Sequence, residues 1–203
     1  LGALAGKNIA SVCAAVGGRL RVSATLGDLP ADAEIMVNQA RATAALGVDI
    51  VKAGFFGDGD ARTAIAALGA APLGKARLVA VLMADRNPDL GLVADLARAG
   101  FSGVMLDTAD KASGRLPEVL GEADIAAFLR AARAEGLVAG VAGSLSLADI
   151  AGLVALAPDI IGFRGALCAG SRNGVLDAAR IGAVRAGLDA AIAAHHAIER
   201  SVA

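Results

Sequence analysis

The strongest constraint on this chain is a strict alternation of short apolar runs with helix-length segments. The runs are Leu20 to Leu26, Asp49 to Ala53, Arg77 to Met83, Gly103 to Leu106, Leu137 to Ala142 and Asp159 to Phe163. Each ends in Gly, Asp or Ser and is followed by a segment long enough for a helix: Glu34 to Leu46, Asp60 to Leu68, Leu90 to Ala99, Glu122 to Glu135, Leu147 to Leu156 and Asp177 to Glu199. A further helix, Ala5 to Val16, precedes the first run and puts Ile9, Val12, Cys13 and Val16 on one face before Gly17-Gly18 stops it. No hairpin signal joins successive runs. Strands separated by helices pair in parallel, because a parallel neighbour needs a long crossover.

Two parallel architectures fit this pattern. An open doubly wound sheet would be expected to carry a Gly-rich dinucleotide fingerprint after an early strand. None is present, and GVAGS at Gly140 to Ser144 lacks that spacing. A barrel gathers polar and Gly residues at the C-terminal ends of its strands, and this sequence does so throughout. The expectation is therefore an α/β TIM (β/α)8 barrel, one domain over 1–203. A closed barrel has eight strands and about 250 residues, so the first two strands are expected to be absent from this chain and the domain to be N-terminally incomplete.

Composition narrows the function. The net charge is -1 and aromatics are 2% of residues, with no Trp or Tyr. Neither a basic footprint nor stacking platforms are available, which argues against nucleic acid. No apolar run approaches the roughly 18–20 residues that cross a bilayer, and the first residues lack a charged n-region and a long apolar stretch. No membrane association is expected, and the protein is placed in the cytoplasm. Cys13 and Cys168 lack metal-ligand spacing and are expected to be reduced thiols. His195 and His196 are adjacent on the terminal helix and point about 100° apart, so no metal is expected there or elsewhere.

The stretch Phe101 to Leu116, FSGVMLDTADKASGRL, carries the chemistry most openly. A buried strand runs into Asp107, and Lys111 follows four residues later. A carboxylate and an amine at a strand end can shift each other's pKa and pass protons. Lys52 interrupts the apolar strand Asp49-Ile50-Val51-Lys52-Ala53. A buried ammonium costs several kcal/mol unless it is paired or deprotonated, so Lys52 is expected at the barrel mouth. Asp85-Arg86 ends another strand, and a surface ion pair is as good a reading there as a site role. Gly143 and Ser144 after one late strand, and Gly165 and Ala166 after the next, offer backbone N–H groups to a phosphate. Gly170-Ser171-Arg172-Asn173-Gly174 could add a hydroxyl and a guanidinium. No organic cofactor is called for.

Five segments together resemble a known family. VSATLGD (22–28), DIVKAGFFG (49–57), GVMLDTADK (103–111), AGS (142–144) and GFRGALCAG (162–170) are similar to (5-formylfuran-3-yl)methyl phosphate synthase, also called 4-(hydroxymethyl)-2-furancarboxaldehyde-phosphate synthase. The match runs over nearly the whole chain. It implies a TIM barrel of methanofuran biosynthesis that condenses two molecules of glyceraldehyde 3-phosphate. It also implies that Lys52 is the acid/base lysine, and that Asp107 and Lys111 are its partners on a later strand and loop. The resemblance places the Schiff-base lysine in a D-x-K stretch upstream of Leu1, since Lys7 sits at a helix start and does not match. The gene product is thus expected to be longer than this chain and to form a homo-oligomer. Two other readings stay open: a class I aldolase or isomerase acting on triose phosphates, and a non-catalytic sugar-phosphate-binding fragment.

Overall fold

The computed structural model describes residues 2–56, 58–110, 114–170 and 174–202. Six strands form one sheet in the order in which they occur along the chain, β1-β2-β3-β4-β5-β6, all parallel. They are β1 (Ser23–Thr25), β2 (Ile50–Gly54), β3 (Arg77–Met83), β4 (Gly103–Asp107), β5 (Val138–Val141) and β6 (Ile160–Ile161). Helices α1 (Gly6–Val16), α2 (Ala33–Ala44), α3 (Ala61–Ala70), α4 (Leu92–Arg98), α5 (Leu116–Val119), α6 (Glu122–Ala134), α7 (Ile150–Ala155) and α8 (Ala178–Val202) fill the crossovers and the two ends. Sequential parallel order with helical crossovers curls a sheet in one direction, and the result is a curved α/β half-barrel.

The two faces of the sheet are buried unequally. Ala24, Val51, Ala53, Leu78, Ala80, Leu82, Val104, Leu106, Ala139 and Val141 point outward under the helices and are buried, in one core with Met36, Ile65, Leu68, Leu96, Phe128 and Leu129. The alternate residues form the concave face. One register row there runs Thr25–Lys52–Val79–Gly103–Val138. Toward the edges this face opens: Val138 is 44% exposed and Ile160 is 48% exposed.

Asp residues secure several of these elements. Asp32 and Asp60 cap α2 and α3 by accepting the Ile35 and Thr63 N–H groups at 2.9 and 3.1 Å. Asp49 and Asp159, just before β2 and β6, accept the N–H groups of Val22 and Ala139 from the neighbouring segment of the sheet at 2.9 and 2.8 Å. These carboxylates close backbone donors that the short ladders leave open.

The structure changes four expectations about elements. The first strand shrinks to Ser23–Thr25 and leaves Leu20 75% exposed. The last shrinks to Ile160–Ile161, which pair with Gly140 and Val141 of β5. The helix expected over Leu147 to Leu156 begins as a 3-10 turn, Leu147–Asp149, before α7. Val12, expected on the inward face of α1, is 45% exposed, while Ile9 alone of that helix is fully buried.

Candidate active site at the strand ends

The C-terminal ends of the strands gather the polar side chains. Lys52 stands on the concave face of β2, beside Thr25 of β1 in register. It lines a cleft of about 480 Å³ together with Ser23, Thr25, Arg164 and Cys168. The cleft joins the β1 edge of the sheet to the loop after β6. Burial pushes the Lys52 ammonium below the ordinary lysine range, and the charge of Asp107 opposes that push without cancelling it. Asp107 ends β4 opposite Met83 of β3, on the same concave face. Its Oδ1 accepts the Thr108 N–H at 2.7 Å. The two groups placed together by sequence reasoning, Lys52 and Asp107, therefore do share one face and feel each other's charge. Lys111 lies outside the described residues, as do Ser171, Arg172 and Asn173.

The two loops expected to bind an anion follow β5 and β6. Gly143 has φ 118° and Ser144 φ 50°, a left-handed pair that turns the chain sharply out of β5. A β-carbon on Gly143 would meet Thr108 at 2.9 Å, so this glycine also admits close packing between the β4 and β5 loops. Gly165 and Ala166 open a 3-10 turn, Gly165–Leu167. Among the described residues, the N–H groups of Ser144, Gly165 and Ala166 donate to no backbone carbonyl. Such donors at a strand end suit a phosphate.

Three side chains acquire roles that sequence reading missed or left open. Asp85 does not form the surface ion pair with Arg86 weighed above. Its carboxylate reaches across to the β4 loop and accepts the N–H groups of Ala109 and Asp110 at 2.8 and 2.7 Å. Burial pushes its pKa up, but the backbone N–H groups together outweigh that, and it lies below the ordinary carboxylate range. Arg86 instead lies 5.7 Å above the Phe56 ring. Arg115 bonds Asp149 at 2.8 Å and Ser146 at 3.2 Å, and it pairs with Glu118. Together with the Leu116 N–H on the Gly143 carbonyl at 3.0 Å, it ties the β4 loop to the β5 loop. The S-x-x-D spacing of Ser146 and Asp149 was the available signal for that network. Arg164, expected only as part of the GFRGA turn, faces the cleft with Lys52.

Among the described residues no group of three or more His, Cys, Asp or Glu side chains could hold a metal ion. No described helix is long and apolar enough to cross a membrane. Cys13 and Cys168 are not joined in a disulfide, and the Cys168 thiol donates to the Arg164 carbonyl at 3.4 Å.

Comparison with known proteins adds independent findings. The family model described as 4-HFC-P synthase matches residues 1–185. A Methylorubrum extorquens protein provisionally named (5-formylfuran-3-yl)methyl phosphate synthase is 41% identical over 192 residues, covering 92% of this chain and 79% of that one. The (5-formylfuran-3-yl)methyl phosphate synthase of Archaeoglobus fulgidus is 32% identical over 170 residues, covering 76% and 71%. Among solved structures, 3-hexulose-6-phosphate synthase from Salmonella typhimurium superposes with a TM-score of 0.70 at 18% identity, covering 94% of this chain and 81% of that one. Phosphoribosyl anthranilate isomerase from Thermus thermophilus gives 0.63 at 15% identity, covering 92% and 80%. At such identities the likeness concerns the fold.

Proposed function

The chain belongs to the 4-HFC-P synthase family, the (5-formylfuran-3-yl)methyl phosphate synthases, and on that premise we propose that it condenses two molecules of glyceraldehyde 3-phosphate to (5-formylfuran-3-yl)methyl phosphate. The reaction forms one carbon–carbon bond, closes a furan ring and releases one phosphate and water. The observation that carries the proposal is the pairing of Lys52 with Asp107 on the concave face of the sheet. A lysine whose pKa is lowered by burial can give and take protons nearer neutral pH than a solvated one. The chemistry moves several protons, and such a pair suits that work.

The roles follow from position. Lys52 abstracts and returns protons as carbons are activated and water leaves. Asp107 holds the protonated form of Lys52 in reach, and Lys111, on the family's pattern, assists the elimination. The N–H groups of Gly143, Ser144, Gly165 and Ala166 hold a substrate phosphate. Imine formation, which makes a carbonyl a better electron sink, is assigned to a lysine upstream of Leu1, carried by two further strands that close the gap between β1 and β6 into an eight-stranded barrel. This reading makes the protein a Schiff-base lyase of methanofuran biosynthesis, working in the cytoplasm as a homo-oligomer without metal or organic cofactor.

The deciding assay incubates the protein with glyceraldehyde 3-phosphate and follows phosphate release, with mass spectrometry of the products. A furan phosphate formed in step with phosphate release is the expected result. A sugar phosphate or an isomerised triose with no phosphate released would point instead to an aldolase or isomerase.

A further inference from the structure

We propose that Asp85 is a positioning residue that orients Asp107 toward Lys52. The proposal rests on the reading of Asp107 and Lys52 as reacting groups. Asp107 is the last residue of β4, and the chain turns immediately after it. Three successive N–H groups of that turn are accepted by carboxylates: Thr108 by Asp107 itself, and Ala109 and Asp110 by the two oxygens of Asp85. A single side chain from the end of β3 thus fixes two consecutive peptide planes of the neighbouring loop. Both bonds, at 2.8 and 2.7 Å, are in the short range of charge-assisted ones.

The consequence for Asp107 is geometric. Without Asp85, the Ala109 and Asp110 donors would need other acceptors, and the Asp107 carboxylate is the nearest by sequence. Asp-Thr-Ala-Asp sequences readily form Asx-type turns in which the side chain bonds N–H groups further along the loop. Such a turn would draw the Asp107 carboxylate away from the concave face. Asp85 occupies those donors, so they do not draw the Asp107 carboxylate along the loop. The exit of the same loop is held separately, by Leu116 on the Gly143 carbonyl and by Arg115 on Asp149. The part that Asp85 governs is therefore the turn next to Asp107.

The test is a double-mutant cycle on the natural full-length protein, measuring triose phosphate consumption and phosphate release. Asp85→Asn keeps the shape but turns one acceptor into a donor that faces an N–H group. It should lower kcat by about 10- to 100-fold, the scale of a misplaced reacting group, with KM changed by less than about 3-fold. In an Asp107→Asn background the same change should cost less than about 2-fold, because the group it positions is already gone. If Asp85→Asn does not fold, Asp85→Glu keeps both acceptors and the charge, one methylene out of place, and should show the same non-additivity. An equal loss in both backgrounds would make Asp85 a general structural residue and overturn the proposal. Normal kcat in folded Asp85→Asn, with Asp107→Asn slow, would overturn it while leaving the role of Asp107 intact. Normal turnover in Asp107→Asn would remove the reading on which it rests, and the proposal with it.

Discussion

An ammonium set among apolar strand residues destabilises a fold, so its presence needs a compensating use. Lys52 sits with Val51 and Ala53 fully buried on either side, and burial lowers its pKa. The sign of the linkage follows. The folded chain holds the proton less tightly than the unfolded chain, so Lys52 subtracts stability at neutral and acid pH. That loss fades as pH rises through the folded pKa toward the ordinary lysine range. Replacing Lys52 with Met should therefore raise neutral-pH stability, by about 0.5–2 kcal/mol, while turnover falls by roughly 10²-fold or more. Thermal unfolding at two pH values, beside the phosphate-release assay, checks both halves. A variant both less stable and still active would show that Lys52 serves packing. Asp107→Asn should keep the fold and lose turnover on the same ~10²-fold scale. Lys52 and Asp107 were legible in the sequence because polar residues in apolar runs stand out. Asp85 was only half legible: an Asp-Arg dipeptide after a strand reads equally as a surface ion pair and as a site residue. Only the cross-strand register, Met83 beside Asp107, brings its carboxylate under the neighbouring loop.

Glycine sets how closely some of these elements approach one another. Gly69 in α3 has no room for a side chain, since a β-carbon there would run into the Ala99 carbonyl after α4. Gly69→Ala should thus destabilise by about 1–3 kcal/mol through overpacking, although alanine is the better helix former by about 1 kcal/mol. Urea unfolding decides between the two effects, and a stabilised variant would mean that the α3–α4 contact gives way freely. The two loops proposed to hold phosphate should separate in the same manner. Gly143→Val meets Thr108 and imposes a left-handed φ of 118° on a branched residue, so it should lose stability along with activity. Gly165→Val, at the start of a 3-10 turn, should raise KM sharply with little loss of stability. Comparable unfolding midpoints for the two variants would argue against this division. Element order and type were legible because six apolar runs alternate with six helix-length segments and no hairpin signal intervenes. Element ends were not, because strand length depends on the neighbour's register. β6 pairs with β5 over only two residues, Ile160 and Ile161 against Gly140 and Val141.

At the scale of the whole molecule, the sheet is curved but its ends do not meet. β1 and β6 each pair with a single strand among the described residues, and open edges of parallel sheets expose donors, acceptors and apolar surface that such sheets ordinarily bury. Exposed apolar side chains near these edges include Leu4 at 61%, Ile160 at 48% and Leu176 at 64%, with Leu4 and Leu176 lining the cleft that Lys52 faces. The proposed closure by two more strands would cover this surface and would bring an additional lysine into the same cleft. Of the described lysines, Lys7 lies exposed on α1 and Lys75 precedes β3 at the opposite end of the sheet from Asp107. Lys52 alone among them faces the cleft. The imine chemistry therefore gives two distinguishable outcomes. With the natural full-length protein, borohydride and triose phosphate should trap a covalent adduct on a lysine upstream of Leu1. Residues 1–203 expressed alone should yield none, because on the proposed assignment the imine forms on the upstream lysine while Lys52 moves protons. Peptide mapping of the reduced adduct reads the site directly. An adduct on Lys52, or furan phosphate made by residues 1–203 alone, would overturn the assignment and move the nucleophile to Lys52.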